Sequence, residues 1–249
     1  HTVEVYRRTE ASEHETQFLG FDFGGGQLLA PPPPPTRHLE IVGDSITCGY
    51  GNEGADMNCH YSADTENHYL SYAAIAARNV NAELITVAWS GKGVVYNYGD
   101  DDSSKVDPMP TYYERTLPER SNSQFDFSTW QADAVVVNLG TNDFSTDIDP
   151  SQSEFETAYK TFVTRIRSKH PNAWILLTNG SMLSGTDLTT VRTYISNVVK
   201  AVNDPKVKSF EIQPQDGADG YGCDWHPSKK THVKMADQLT SVLKSTLNW

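Results

Sequence analysis

The sequence predicts an α/β fold, a three-layer αβα sandwich around a five-stranded parallel sheet, with a short N-terminal β segment in front of it. Two observations indicate this fold. Five short apolar segments recur after residue 36, and helix-type segments separate them. Near-continuous apolar strands are typical of a parallel sheet that is buried on both faces. The alternation of strand and helix predicts right-handed crossover connections.

The first predicted strand covers residues 39–42 and ends at Gly43. The four later strands are predicted at residues 84–88, 134–139, 174–178 and 207–212. Helices are predicted at residues 66–78, 149–170, 188–202 and 227–247. In open α/β sheets of this kind, ligands bind beyond the carboxyl ends of the strands. We therefore expect the functional residues in the loops that follow these strands.

The N-terminal 36 residues read differently from the rest. Alternating apolar and polar residues at 2–6 and 17–23 predict half-buried strands. Five consecutive prolines then form a stiff spacer that has no N–H to give to a sheet. This predicts a β segment at 1–30, a Pro-rich linker at 31–36 and the main domain at 37–249. Because the sequence begins within a segment that has the pattern of a strand, we expect that a signal peptide and other upstream residues have been removed.

The formal net charge is −12, which disfavours nucleic acid and anionic membranes as partners. No apolar run approaches the ~20 residues that a membrane-spanning helix needs. A neutral carbohydrate or a neutral ester suits this charge better. The alternative is that the negative charge serves only to keep a secreted protein soluble.

The chain has three cysteines, Cys48, Cys59 and Cys223, without CxxC or zinc-type spacing. No metal or cofactor is therefore expected. Cys48 and Cys59 could form one disulfide in an oxidising compartment. Cys48 and Cys223 both flank candidate catalytic residues and could pair instead. The sequence leaves both pairings open.

Ser45 is the candidate nucleophile. It lies in Gly43-Asp44-Ser45-Ile46-Thr47, directly after the first predicted strand. A tight strand-to-helix turn exposes the serine Oγ, which attacks only when a base removes its proton. The same residues are also typical of an ordinary helix cap.

Two further loops offer oxyanion donors. Gly91 follows the second strand, and a glycine lets a backbone N–H approach a substrate oxygen closely. Asn142 follows the third strand in Gly-Thr-Asn-Asp, and its side-chain amide can donate to a developing oxyanion. A plain loop glycine and a turn asparagine are the alternative interpretations.

His226 is the candidate base. It precedes Pro227, which suits the first turn of the last predicted helix, so that the imidazole can face the strand ends. Asp224 could orient this imidazole. The alternative is a capping Asp beside a surface His. The four motifs occur in the chain order expected of an esterase, and each follows a strand. The Gly-x-Ser-x-Gly elbow of α/β-hydrolases is absent around Ser45.

Together these motifs resemble those of the SGNH (GDSL-type) hydrolases, which have a flavodoxin-like sheet. Residues 43–51 and 222–228 closely resemble carbohydrate esterase family two. Residues 7–11 and 18–21 resemble the end of that family's N-terminal jelly roll, of which residues 1–30 would be a remnant. The resemblance covers essentially the whole chain. It implies Ser45 as nucleophile and His226 as base, with Ser45, Gly91 and Asn142 forming the oxyanion hole.

The resemblance further implies a secreted acetyl esterase that acts on plant polysaccharide such as xylan or glucomannan. It implies Tyr98 as a sugar-stacking residue, and Trp225 is a second candidate for substrate binding. One departure concerns Asp224, which stands two residues before the histidine where many SGNH enzymes have three. This leaves open a Ser-His dyad braced by a backbone carbonyl.

Two other functions compete with acetyl esterase. One is a lipase or thioesterase of the SGNH type, and the other is a carbohydrate-binding protein with a decayed site. We expect a monomer, and whether a jelly-roll domain packs against it is left open.

Overall fold

A five-stranded parallel sheet forms the centre of the computed structural model, which describes residues 3–101, 106–145 and 148–249. The strands are β1 (Arg37–Gly43), β2 (Ala82–Ala88), β3 (Ala134–Asn138), β4 (Trp174–Thr178) and β5 (Val207–Ser209). Their order across the sheet is β2-β1-β3-β4-β5, and every pairing is parallel. The predicted fold class is confirmed.

Helices cover both faces of the sheet. They are α1 (Ser45–Cys48), α2 (Tyr72–Asn79), α3 (Met109–Tyr112), α4 (Gln152–Lys169), α5 (Gly185–Val202) and α6 (Lys229–Leu247). Side chains alternate along β3: Val135 and Val137 face the core formed with α4 and α5, whereas Val136 faces the core formed with α2 and α6. This period of two explains why every residue of the strand is apolar up to its last position. None of the helices in the described ranges is long and apolar enough to cross a membrane.

Three helix starts were predicted too early, and each correction has the same cause. Ser71, Ser151 and Ser228 are the N-caps of α2, α4 and α6, and each side chain accepts a backbone N–H from the first turn. The cap of α4 is therefore Ser151 and not Asp149. The last strand also ends early, at Ser209, because its pairing with β4 stops there.

The strands predicted within residues 2–6 and 17–23 are wrong. Residues 3–36 contain no strand, since no second segment in the described ranges pairs with them, and Thr2 lies outside those ranges. Residues 7–10 instead contact the main domain: the Arg8 carbonyl accepts the His68 N–H at 2.8 Å, and the Arg8 side chain donates to the Glu66 carbonyl. The boundaries 1–30, 31–36 and 37–249 stay a prediction.

Both disulfide pairings considered from the sequence are wrong. The disulfide joins Cys59 to Cys223, while Cys48 is free and buried in α1. Two backbone hydrogen bonds bring the loops together: Cys223 N–H donates to the Gly51 carbonyl and Asp224 N–H to the Cys59 carbonyl, both at 3.0 Å. Cys48 was considered because it lies three residues after Ser45, but its side chain is buried against Glu10.

Candidate active site

The turn between β1 and α1 places Ser45 at the carboxyl edge of the sheet. Gly43 is required there because a Cβ atom would clash with the side chain of Thr47. The buried Asp44 carboxylate caps α1 by accepting the Ile46 N–H at 3.0 Å. Burial raises the pKa of Asp44 to about 7. The turn therefore holds Ser45 in one position at the start of a helix.

The structure brings Ser45 and His226 into hydrogen-bonding contact across 181 positions of sequence. The Ser45 Oγ lies 2.9 Å from His226 Nε2. The other ring nitrogen, Nδ1, lies 3.1 Å from the backbone carbonyl oxygen of Asp224. Since a carbonyl can only accept, Nδ1 carries the proton and Nε2 is free to accept the hydroxyl proton of Ser45. This is the tautomer that a general base needs.

The sequence left open two roles for Asp224, and the one in which its carboxylate contacts His226 is wrong; the backbone carbonyl makes the contact instead. The carboxylate instead accepts hydrogen bonds from the Tyr50 hydroxyl (2.9 Å), His60 Nδ1 (2.9 Å) and the Tyr61 N–H (3.0 Å). Asp224 and Trp225 both have positive φ, at 51° and 64°. These two left-handed residues turn the Asp224 carbonyl toward the imidazole and its side chain away from it.

Hydrogen bonds affect the pKa of Asp224 more than burial does. Burial by itself would raise the pKa of this carboxyl, but the donors His60, Tyr50 and Tyr61 hold it below its usual value. The ionised side chain thus ties the histidine loop to residues 50–61, and the disulfide at Cys223 adds a covalent link to the same region.

Tyr50 is a site residue that the sequence reasoning missed. Its ring stacks on the His226 imidazole with centroids 4.0 Å apart. Burial lowers the pKa of His226 to about 4, an effect that hydrogen bonds to the Asp224 and Cys223 carbonyls only partly oppose. The His226 imidazole is therefore neutral across the ordinary pH range. Tyr50 lies within residues 43–51, which resemble carbohydrate esterase family two, so its position five residues after Ser45 was the available signal.

The Ser45 hydroxyl opens into a pocket of about 430 Å³ that both predicted oxyanion residues also line. The complete lining is Ser45, Tyr50, Ser90, Gly91, Tyr98, Thr141, Asn142, Ser145, Met182, Asp224 and His226. Gly91 has φ +79°, a conformation that favours glycine. The Asn142 amide donates one hydrogen to the Lys92 carbonyl at 2.9 Å, which orients the amide and leaves its second hydrogen available.

The loop that carries Gly91 is fixed by a second missed residue, Asp143. Its buried carboxylate accepts the backbone N–H groups of Val94, Val95 and Tyr96 at 2.7–3.1 Å. Burial raises the pKa of Asp143 to about 6, while these donors oppose the shift. Asn142 and Asp143 are adjacent, so one short segment orients the amide and holds the neighbouring loop.

The two predicted substrate-binding aromatics lie in different places. Tyr98 lines the pocket and its side chain is 69% exposed, while its N–H donates to the Gly91 carbonyl at 2.8 Å. Trp225 is not among the residues that line this pocket. Its ring packs against Tyr221 with centroids 5.1 Å apart. The structure thus brings Tyr98, but not Trp225, to the Ser45 pocket.

Comparison with known proteins places this geometry in a family. Residues 41–234 match the model of the GDSL-like Lipase/Acylhydrolase family, and residues 1–33 match the carbohydrate esterase 2 N-terminal model. A solved family two carbohydrate esterase from Clostridium thermocellum, in complex with cellohexaose, is 47% identical. It superimposes with a TM-score of 0.92 over 97% of this chain and 74% of that one.

Two curated proteins are similar over the full chain. The cellulase/esterase CelE of Acetivibrio thermocellus is 47% identical, and this chain spans 30% of its length. An acetylxylan esterase / glucomannan deacetylase of Cellvibrio japonicus is 30% identical, and this chain spans 68% of its length. The chain therefore belongs to the GDSL-like lipase/acylhydrolase family and, within it, to the family two carbohydrate esterases.

Proposed function

We propose that this protein is a carbohydrate acetyl esterase that removes O-acetyl groups from plant cell-wall polysaccharide, with Ser45 as nucleophile and His226 as base. The observation that carries the proposal is the 2.9 Å contact between Ser45 Oγ and His226 Nε2 at the pocket wall. An alcohol becomes a nucleophile when a neutral imidazole can take its proton at this distance.

The reaction proceeds in two acyl-transfer steps. His226 Nε2 takes the Ser45 proton as Oγ bonds to the acetyl carbonyl carbon, and the carbonyl electron pair moves to its oxygen. The oxyanion then re-forms the carbonyl as the bond between the acyl carbon and the sugar oxygen breaks, and His226 gives its proton to the sugar oxygen. In the second step water bonds to the acyl carbon and passes a proton to His226. The bond to Ser45 Oγ then breaks, Oγ takes that proton from His226, and acetate leaves.

The proposed oxyanion hole consists of groups on three residues that line the same pocket. The backbone N–H groups of Ser45 and Gly91 and the Asn142 amide are the proposed donors. One such donor contributes about 3–4 kcal/mol to the transition state when its position is fixed in advance. The bond from Asn142 to the Lys92 carbonyl supports this role because it fixes the amide before substrate arrives.

In this proposal Ser45 and His226 act as a catalytic dyad. The Asp224 carbonyl, and not its carboxylate, fixes the tautomer of His226 and accepts from the imidazolium that forms during the reaction. Tyr50 covers one ring face and keeps water from it.

Three observations support the substrate proposal: the pocket, an exposed aromatic ring and the relatives. A pocket of about 430 Å³ open to solvent accommodates an acetyl group on a sugar residue. Tyr98 offers an exposed ring at this pocket on which an apolar sugar face can stack. One relative is named for acetylxylan and glucomannan, and another was solved with cellohexaose, which supports xylan or glucomannan as the polysaccharide. Trp225 is the weaker candidate for contact with a longer chain.

We also propose that the protein acts outside the cell, as a monomer. The disulfide between Cys59 and Cys223 supports an oxidising compartment.

The test compares acyl chain length and substrate. Aryl acetate should be hydrolysed much faster than aryl octanoate, and acetate should be released from acetylated xylan and glucomannan. Ser45→Ala should lose both activities while keeping its circular dichroism spectrum. Faster octanoate hydrolysis would favour a lipase, and cellulose binding without acetate release would favour a binding protein. Full activity of the Ser45→Ala variant would exclude the proposed nucleophile.

A further inference from the structure

A carboxylate from the N-terminal segment contacts the loop that carries Gly91. Glu10 is buried, and its Oε2 accepts the backbone N–H of Ser90 at 2.7 Å. Ser90 immediately precedes Gly91 and, like it, lines the Ser45 pocket. Glu10 therefore holds the peptide unit next to the one that is proposed to stabilise the oxyanion.

A second buried carboxylate fixes the backbone of Glu10. The Glu10 N–H donates to Glu66 Oε2 at 3.1 Å, and the Tyr61 hydroxyl donates to the same oxygen at 2.8 Å. Glu66 has no exposed surface. Tyr61 also packs against Tyr50, with centroids 4.5 Å apart. This chain of contacts joins Glu10 to the region that surrounds His226.

The two carboxylates lie with Cys48 Sγ in one cluster, in which potential metal-ligand atoms of Glu10, Cys48 and Glu66 are all within 4.8 Å. Protein donors already use this cluster: Cys48 Sγ is 3.7 Å from Glu10 Oε2, which also accepts from Ser90. The cluster is thus a set of hydrogen-bonded side chains that leads to the Gly91 loop, and it does not indicate a metal site.

Burying two acidic groups side by side opposes folding. Burial raises the pKa of Glu10, and burial together with the nearby Glu10 carboxylate raises the pKa of Glu66 to about 7. An apolar residue at either position would avoid this cost. What an apolar residue would not supply is an acceptor for the Ser90 N–H.

We propose that Glu10 is a positioning residue, which orients the Gly91 N–H for the oxyanion by holding the Ser90 N–H. This inference rests on the proposed function. Asp143 fixes the far end of the same loop through Val94, Val95 and Tyr96. Glu10 fixes the near end. Gly91 therefore lies, along the chain, between two backbone segments that are each held by a buried carboxylate. A shift of about 1 Å in such a donor is enough to cost roughly 100-fold in rate.

The test uses Glu10→Ala and Glu10→Gln, with Arg8→Ala as matched control. Arg8 tethers the same segment through Glu53 (2.8 Å) and the Glu66 carbonyl, but it makes no bond to the Gly91 loop. Glu10→Ala should lower kcat on aryl acetate roughly 10- to 100-fold with little change in KM. Glu10→Gln should keep most of kcat, because its amide oxygen can still accept from Ser90. Arg8→Ala should keep the kcat of the parent protein.

Inhibition by an alkylboronic acid reports on the oxyanion hole itself, and Arg8→Ala controls for a loss of segment docking. The boronate bonds to the serine Oγ and places an oxygen in the oxyanion hole, so its Ki should rise in parallel with the loss of kcat in Glu10→Ala. Unchanged kcat in Glu10→Ala would overturn the inference. An equal loss in Arg8→Ala would also overturn it, since docking alone would then explain the effect. A parent protein without any esterase activity would instead contradict the proposed function.

Discussion

The Nδ1 atom of His226 lies 3.1 Å from the backbone carbonyl oxygen of Asp224, while the carboxylate of Asp224 binds Tyr50, His60 and Tyr61. One residue thus does two separate things. Its main chain orients the imidazole, and its side chain holds the loop in the left-handed conformation that makes this orientation possible. A carbonyl is present whatever the side chain, so substitutions at this position have predictable and limited effects.

Asp224→Asn should reduce kcat by about tenfold or less. The variant loses ionic character in hydrogen bonds that are each worth about 1.5–3 kcal/mol, but it keeps the carbonyl that orients His226. Steady-state kinetics on aryl acetate, with thermal denaturation to confirm folding, measure this. A loss of roughly 10⁴-fold, as expected for removal of a triad carboxylate, would show that the carboxylate acts directly on the imidazole.

The ring of Tyr50 should matter more than its hydroxyl. Tyr50→Phe keeps the 4.0 Å stack on His226 and removes only a bond to Asp224, so kcat should stay within about fivefold. Tyr50→Ala removes the stack and admits water beside the base, and kcat should fall roughly 100-fold. The two variants are matched controls for each other. Equal losses in both would assign the effect to the hydroxyl.

Esterase activity should persist in acid. The base must be neutral, and burial lowers the pKa of His226 to about 4, so the imidazole stays unprotonated as the pH falls through its usual value of 6.5. The acid limb of the profile of kcat/KM against pH should therefore have its midpoint near 4. Fluorescence across the same range separates this limb from acid unfolding. A midpoint near 6.5 in folded protein would contradict the buried, neutral base.

Loss of the disulfide should weaken the fold and the site together. Cys59 and Cys223 are 164 positions apart, and Cys223 is three residues from His226. Replacing both with serine should cost about 2–4 kcal/mol in the free energy of unfolding and lower kcat, because the loop is freed. Urea denaturation of the variant and of reduced parent protein measures this. The variant should not respond to reductant, and a parent protein equally insensitive would contradict the disulfide.

The sheet and the position of Ser45 at its edge could be predicted because local sequence determines them. The strand Ala134–Asn138 is apolar at every position before Asn138, and Ser45 and Asn142 each lie in the segment that follows a strand. His226 could be placed from Pro227 and the helix that follows. Each of these patterns spans only a few residues. A parallel sheet packed between two helix layers is the fold that buries them.

Apart from the helix starts, the errors concern backbone conformation and contacts between distant segments. The direction of the Asp224 side chain depends on positive φ at Asp224 and Trp225, a conformation that is uncommon for residues other than glycine. The disulfide depends on how the loops at Gly51 and Cys223 meet. The N-terminal segment has the alternating pattern of strands. A strand also needs a second strand to pair with, and residues 3–36 pair with no strand in the described ranges. Tyr50 and Glu10 carried no motif that distinguishes a positioning role from packing.

The central claim is that Ser45 is a nucleophile activated by His226, and covalent labelling tests it most directly. Incubation with an aryl dialkyl phosphate, followed by peptide mass analysis, should place a single phosphoryl group on the peptide that contains Ser45. His226→Ala should slow this labelling roughly 10²- to 10⁴-fold, because the hydroxyl then keeps its proton. Inactivation with the label on another residue, or labelling of His226→Ala at the parent rate, would contradict the account.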